Sequence, residues 1–152
     1  MKKGVKMEAP SKNIVFEDII IIIAIIGIIF GLTIGIYMGN KLGEDHTFTS
    51  MPPGSFLMSA HVHMLCDAAL VIMMALMFRK RQLGSVQQIK NVGFVLLLLG
   101  SYFQPIGLIG MGYNVPWLIK VLEPGEYMII GGLIMLVATF IISKAPKYEK
   151  EV

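Results

Sequence analysis

Residues 19–38 read IIIIIAIIGIIFGLTIGIYM and contain no charged side chain. A helix needs about 20 predominantly apolar residues to cross roughly 30 Å of hydrocarbon, and this stretch has that length and character. Three further stretches are similarly apolar, at residues 56–78, 92–111 and 127–143. The sequence therefore predicts an all-α integral membrane protein with four transmembrane helices.

The overall composition agrees with a membrane protein. Of the 152 residues, 55% are hydrophobic and only 15% are charged, which is too apolar for a water-soluble domain of this length. The connections between the four stretches are short, and no internal repeat is visible. We expect residues 1–152 to form a single membrane domain that is surrounded by the lipid bilayer.

The distribution of lysine and arginine predicts how the helices are oriented. Four of these residues lie in the N-terminal tail, four lie in residues 79–90, and three follow Ser143, whereas the other two are Lys41 and Lys120. The positive-inside rule then places both termini in the cytoplasm, and the helices form an up-down bundle in the plasma membrane. Orientation and anionic lipid explain the net charge of +3, and no basic face with interleaved aromatic residues indicates nucleic acid.

Glycines recur at fixed spacing in two of the predicted helices. The first helix has one at every fourth position, at Gly27, Gly31, Gly35 and Gly39. The third helix has one at every seventh position, at Gly93, Gly100 and Gly107. Because glycine lets another backbone approach closely, we interpret both stripes as packing surfaces within the bundle or between subunits.

The second helix carries polar side chains in its middle, in the stretch SAHVHMLCDAAL at residues 59–70. Asp67 falls near the bilayer midplane, where a carboxyl is costly unless it is paired, neutralised or facing water. His63 and Asp67 are four residues apart and share one helical face, and Cys66 lies at its edge. His61 points about 200° away from His63, so one regular helix does not readily present both rings to the same ion.

Further polar side chains are expected at the same depth. Counting along helices of alternating direction places Tyr102 near the level of Asp67 and Gln104 near that of His63. The preceding loop adds His46 above them. These side chains converge in the outer half of the bundle, and this convergence indicates a site in which Asp67, Tyr102 and Gln104 support the ligands.

The chemistry of these residues suits a haem or a metal ion. A neutral imidazole in an apolar bundle can ligate either one, and a nearby carboxylate can orient the ring. The candidate ligands are His46, His61, His63 and Cys66. Since the chain also has twelve methionines, copper is a further candidate. The alternative is structural, with a hydrogen-bonded histidine, a protonated aspartate and a cysteine that acts as a small apolar residue.

Residues 36–70, IYMGNKLGEDHTFTSMPPGSFLMSAHVHMLCDAAL, resemble a family of small four-helix membrane proteins that are similar to subunit I of cbb3-type haem-copper oxidases. The shared features are Y-M-G at the end of the first helix, D-H-T in the loop and H-x-H on the second helix. The resemblance covers roughly residues 25–80 and extends more faintly to residues 91–100. It implies that His63 occupies the position of a haem-ligating histidine.

The chain also departs from the family pattern. Residues 65–69 read LCDAA where the family has N-L-L-G-W, and the loop is longer around residues 51–55. Lys90 stands where a third-helix histidine is expected. A second haem ligand would therefore come from His46, His61, a sulfur atom of methionine or Cys66, or His63 of a second subunit.

Two functions of different classes remain open from the sequence. One is a small membrane protein that binds haem b or a metal ion for electron transfer or sensing, with His63 as ligand. The other is a non-catalytic accessory subunit of a larger respiratory or oxygenase complex. Either protein would act as a homo-oligomer or within that complex. A proton or solute pathway through Asp67 is the weaker interpretation, since four helices enclose little space, and no nucleophile–base pair or phosphate loop indicates independent catalytic activity.

Overall fold

A computed structural model of the protein describes residues 15–79, 81, 83 and 86–143. In chain order its helices are α1 (Phe16–Glu44), a 3-10 helix (Phe48–Ser50), α2 (Gly54–Phe78), α3 (Gln87–Gly112), the short α4 (Pro116–Ile119) and α5 (Leu122–Ile142). The described residues contain no strand. Four segments are long and apolar enough to cross a membrane, namely α1, α2, α3 and the segment Pro116–Ile142. The predicted all-α fold with four such helices is confirmed.

The helices extend beyond the apolar stretches that predicted them. The first helix begins at Phe16 and continues to Glu44, and the last long helix begins at Leu122. Hydropathy marks only the part of a helix that matches the hydrocarbon, so polar turns at the ends are missed. Pro124 lies in the first turn of α5, where its missing N–H leaves no hydrogen bond unmade.

Helix α3 is the centre of the structure and packs mainly against α5 and α2, while α1 packs mainly against α2. The contact between α3 and α5 is a close approach of two backbones. A Cβ atom added at Gly100 would lie 2.7 Å from the Gly125 carbonyl oxygen, and one at Gly132 would lie 2.6 Å from the Leu97 nitrogen. The seven-residue glycine stripe of α3 therefore meets α5, which has its own glycines at the same spacing. The packing role of this stripe is confirmed.

The glycines of α1 make room for side chains rather than for a second backbone. An added Cβ would lie 3.1 Å from the Tyr102 hydroxyl at Gly27, 3.1 Å from Leu65 Cδ2 at Gly31 and 2.6 Å from His61 Cε1 at Gly35. At Gly39 the same atom would meet nothing within 4 Å among the described residues. Within the described residues the predicted packing face thus extends over the first three glycines, and packing of Gly39 against another subunit stays a prediction.

Charged side chains meet at one end of the structure, which we call the charged end. Glu17 of α1 forms an ion pair with Lys90 of α3, and both side chains are buried. Beside them Asp18 pairs with Arg79 at 3.0 Å. Arg81 donates to the Phe140 carbonyl at 3.1 Å. The sequence predicts that Lys90 belongs to the loop cations, whereas the structure places it inside α3.

Four phenylalanines, one from each long helix, pack together at the charged end. The Phe78 ring lies edge-on to those of Phe94 and Phe140, with centroids 5.8 and 5.9 Å apart, and Phe16 approaches Phe94 at 6.4 Å. Such edge-to-face pairs contribute beyond their buried area. Phe78 and Phe140 bring α2 and α5 into contact here, although these helices otherwise touch little.

Candidate functional site

The two histidines of α2 face different neighbours, as their spacing predicts. His61 Nδ1 donates a hydrogen bond to the Gly31 carbonyl oxygen of α1 at 2.7 Å. The rest of its ring packs on Gly35, where an added Cβ would lie 3.2 Å from Nε2. His63 lies on the other side of α2, towards α3 and α5. The structure therefore does not bring His61 and His63 together.

His63 lines a groove that is open at the surface and has a volume of about 270 Å³. We call it the polar groove, and its lining residues are His63, Asp67, Gln104, Glu126, Ile129 and Ile130. It exists because α2 and α5 both pack on α3 but have few contacts with each other away from the charged end. The shared face of His63 and Asp67 that helical spacing predicts is confirmed.

Asp67 is a groove residue whose side chain lacks a hydrogen-bond partner among the described residues. Its Oδ2 atom is buried and has no hydrogen-bond partner among the described residues. The residue lies near the middle of α2, a helix long and apolar enough to cross a membrane, and hydrocarbon at that position would offer it no water. A buried acceptor without a partner costs about 1–3 kcal/mol. Protonation of Asp67, a bound ligand or a hydrogen-bond donor from another molecule would remove this cost.

The supporting residues predicted from α3 divide between two sides of that helix. Gln104 lines the polar groove with His63, as expected. Tyr102 does not, because its hydroxyl donates to the Ile23 carbonyl oxygen of α1 at 2.6 Å. There it borders a separate apolar pocket of about 180 Å³ with Ile26 and Phe30. The expectation that Tyr102 supports His63 is therefore wrong, and its contact joins α3 to α1.

His46 is exposed in the loop between α1 and α2. Its neighbours form a tight local turn, in which the Thr47 hydroxyl and backbone N–H donate to Asp45 Oδ1 at 2.7 and 2.9 Å. These hydrogen bonds hold the pKa of Asp45 below its usual range. The loop residue His46 is not among the residues that line the polar groove.

The sulfur candidates are dispersed. Cys66 is exposed on α2, and among the nearby methionines Met51 and Met58 are exposed while Met64 is buried. Over the part of the chain that the structure describes, no three side chains of histidine, cysteine, aspartate or glutamate are close enough together to hold a metal ion. A metal bound at His63 would thus need ligands in addition to the side chains that the described residues bring together.

Glu126 is a groove residue that was not predicted from the sequence. It lies one residue before the stretch 127–143, so hydropathy assigned it to a connection. In the structure it is in the second turn of α5 and lines the groove opposite His63 and Asp67. Helical spacing could have identified Glu126, since it is four residues before Ile130 and shares the same face of α5.

No protein-family model, curated protein or solved structure matches this chain.

Proposed function

We propose that the four helices cross the plasma membrane up-down-up-down with both termini in the cytoplasm. The positive-inside count supports this orientation, since the segments before α1, between α2 and α3 and after α5 carry most of the lysine and arginine. The ion pairs of Glu17 with Lys90 and of Asp18 with Arg79 support the up-down arrangement, because they join the start of α1 to the start of α3 and the end of α2. The polar groove then lies in the outer half of the membrane.

We propose further that the protein binds haem b or a metal ion through His63, for electron transfer or sensing. The observation that carries this proposal is that the His63 imidazole and the Asp67 carboxyl, whose Oδ2 has no hydrogen-bond partner among the described residues, line one groove between apolar helices. Ionisable side chains at this depth are costly and therefore indicate a function. The resemblance to the oxidase-like family also supports His63 as the ligand.

The side chains of the groove can ligate either a haem iron or a metal ion, and its volume is sufficient for an ion. Imidazole and carboxylate suit both haem iron and divalent transition metals. A volume of about 270 Å³ accommodates an ion, but it is smaller than the roughly 300–1,000 Å³ of pockets that enclose a drug-sized molecule. A haem held by His63 would therefore extend through the open side of the groove.

The residues of the chain have separate roles in this proposal. His63 supplies the ligand nitrogen, and Asp67, one helical turn away, supplies the carboxylate that orients the ring. Gln104 and Glu126 supply further polar groups to the groove, while Ile129 and Ile130 form an apolar wall on its α5 side. When bound, haem or a redox-active metal would supply one-electron chemistry.

One observation favours a second candidate function, a non-catalytic accessory subunit of a larger membrane complex. The polar groove opens at the protein surface, so a partner protein can cover it and satisfy Asp67. In that case His63 and Glu126 would hydrogen-bond to the partner. A proton pathway across the whole membrane has less support, because Phe94, Leu97 and Leu98 of α3 are buried between Lys90 and the groove.

Purification in mild detergent after haem-supplemented expression tests these alternatives. A visible spectrum with a Soret band supports haem, and elemental analysis that finds a metal without that band supports a metal site. A colourless, metal-free protein that co-purifies with a larger complex would contradict ligand binding and support the accessory role.

A further inference from the structure

The polar groove is incomplete in a single chain. It offers one imidazole, and His61 is held on the far side of α2 by its hydrogen bond to Gly31. Asp67 Oδ2 has no hydrogen-bond donor among the residues that the structure describes. Lipid tails have no hydrogen-bonding groups, so a groove that opens towards lipid leaves these polar groups without partners. Whatever covers the groove must therefore be polar where it meets His63 and Asp67.

The groups in the groove are complementary to themselves. His63 is a base and a donor, whereas Asp67 and Glu126 are acids and acceptors. A two-fold axis places the same patch on both subunits, so that residue i meets residue j and residue j meets residue i. Two grooves that face each other would bring the imidazole of each chain towards the carboxyls of the other. A second copy is therefore a partner that can satisfy both sides.

The surfaces that flank the groove suit such a contact. On the α2 side Ser59 and Cys66 are exposed and small, which permits close approach of another helix. On the α5 side Ile130 and Ile134 are exposed and apolar. In membranes, helices associate through close packing and hydrogen bonds, and this surface offers both.

We propose that two copies of the chain dock groove to groove, and that His63 of both copies ligates one shared haem or metal ion. The inference rests on the proposed role of His63 as a ligand. With a second copy, the joined grooves contain two His63 imidazoles instead of one, and neither subunit has to rearrange. It also explains how a groove with one available histidine can hold a ligand in the absence of a third-helix histidine.

Cysteine cross-linking in native membranes tests the contact independently of any ligand. Cys66 is exposed on α2 next to the groove residue Asp67 and serves as the α2 rim, and Ile130→Cys in a Cys66→Ser background places a thiol on the α5 rim. We expect a disulfide-linked dimer from at least one of these thiols. Ile36→Cys in the same background is the control, because Ile36 is an exposed residue of α1 away from the groove. A cross-link from Ile36→Cys with none from either rim would overturn the proposal.

Titration with haemin and, separately, with Cu²⁺ tests the shared site. We expect one bound haemin or Cu²⁺ for every two chains, and mixed dimers with one His63→Ala copy should bind about tenfold more weakly or worse. A monomer that binds haemin or Cu²⁺ through its own His63 would overturn the inference and uphold the proposed function. A rim-linked dimer that binds neither would contradict the proposed function and the shared ligand, while the groove-to-groove contact would be upheld.

Discussion

Lys90 of α3 and Glu17 of α1 form a buried ion pair at the charged end, with Lys90 fully covered and Glu17 6% exposed. The Lys90 ammonium also lies 5.4 Å from the centre of the Phe16 ring. At 1.5 Å per residue, position 90 is about 21 Å along α3 from Gln104 in the polar groove. Lys90 stands where the family resemblance implies a third-helix histidine. In this chain it holds α1 against α3.

Loss of one partner of this pair should destabilise the protein strongly. Lys90→Met or Glu17→Gln leaves an uncompensated polar or charged group, and breaking a buried pair costs about 3–5 kcal/mol. The double variant should regain much of that loss, because neither charge remains. Thermal unfolding in detergent measures the effect. Asp18→Asn is the control, since the Asp18–Arg79 pair is partly exposed and such pairs contribute about 0–1 kcal/mol. Single variants as stable as this control would contradict the account.

Two adjacent glycines of α5 should respond differently to alanine. A Cβ at Gly132 would lie 2.6 Å from the Leu97 nitrogen, so Gly132→Ala forces α3 and α5 apart. Overpacking of this kind costs about 1–3 kcal/mol. At Gly131 an added Cβ would meet nothing within 4 Å among the described residues, and Gly131→Ala should leave the melting temperature unchanged or slightly raised. Equal melting temperatures for the two variants would argue against the close approach of the backbones.

The glycines of α1 provide a similar comparison. Gly35→Leu would collide with the His61 ring, which lies 2.6 Å from an added Cβ, and should lower stability and displace His61. An added Cβ at Gly39 meets nothing within 4 Å among the described residues, so Gly39→Leu should fold normally. Migration in size-exclusion chromatography and thermal stability in detergent separate the two outcomes. A normal Gly35→Leu variant would show that this glycine is dispensable for packing.

Cysteine labelling of intact cells tests the orientation. In a Cys66→Ser background, Asp45→Cys should react with a membrane-impermeant maleimide from outside, because Asp45 is in the exposed loop between α1 and α2. Gln87→Cys at the exposed start of α3 should react only after the cells are opened. The reverse pattern would invert the proposed topology.

Depth and helical phase within one helix could be predicted from the sequence, whereas the rotation of one helix against another could not. The spacing of His63 and Asp67 gave their shared face correctly, because the period of a helix is fixed. The sequence predicted Tyr102 correctly near the level of Asp67, but on the His63 side of α3 instead of the side that faces α1. Its direction follows from the contact of Gly100 with α5, since Tyr102 is about 200° further round α3 and so faces α1.

Charged residues at helix ends were the other source of error. Hydropathy identifies the stretch that matches the hydrocarbon, so Glu17, Lys90 and Glu126 were assigned to connections or tails. In the structure all three lie within the first two turns of helices, where Glu17 and Lys90 form an ion pair and Glu126 lines the groove. Which end residues are buried depends on the neighbouring helix, and a single sequence does not contain that information.

The central claim, that His63 and not His61 binds the ligand, is tested most directly by comparing visible spectra and metal content of two histidine variants. His61→Gln should lose stability through its weakened contact with Gly31, by about 0.5–1.5 kcal/mol, and keep the haem or metal of the wild-type protein. His63→Ala should remain folded and lose the Soret band or the bound metal. A bound ligand that persists in His63→Ala, or that is lost only in a folded His61→Gln protein, would contradict the account.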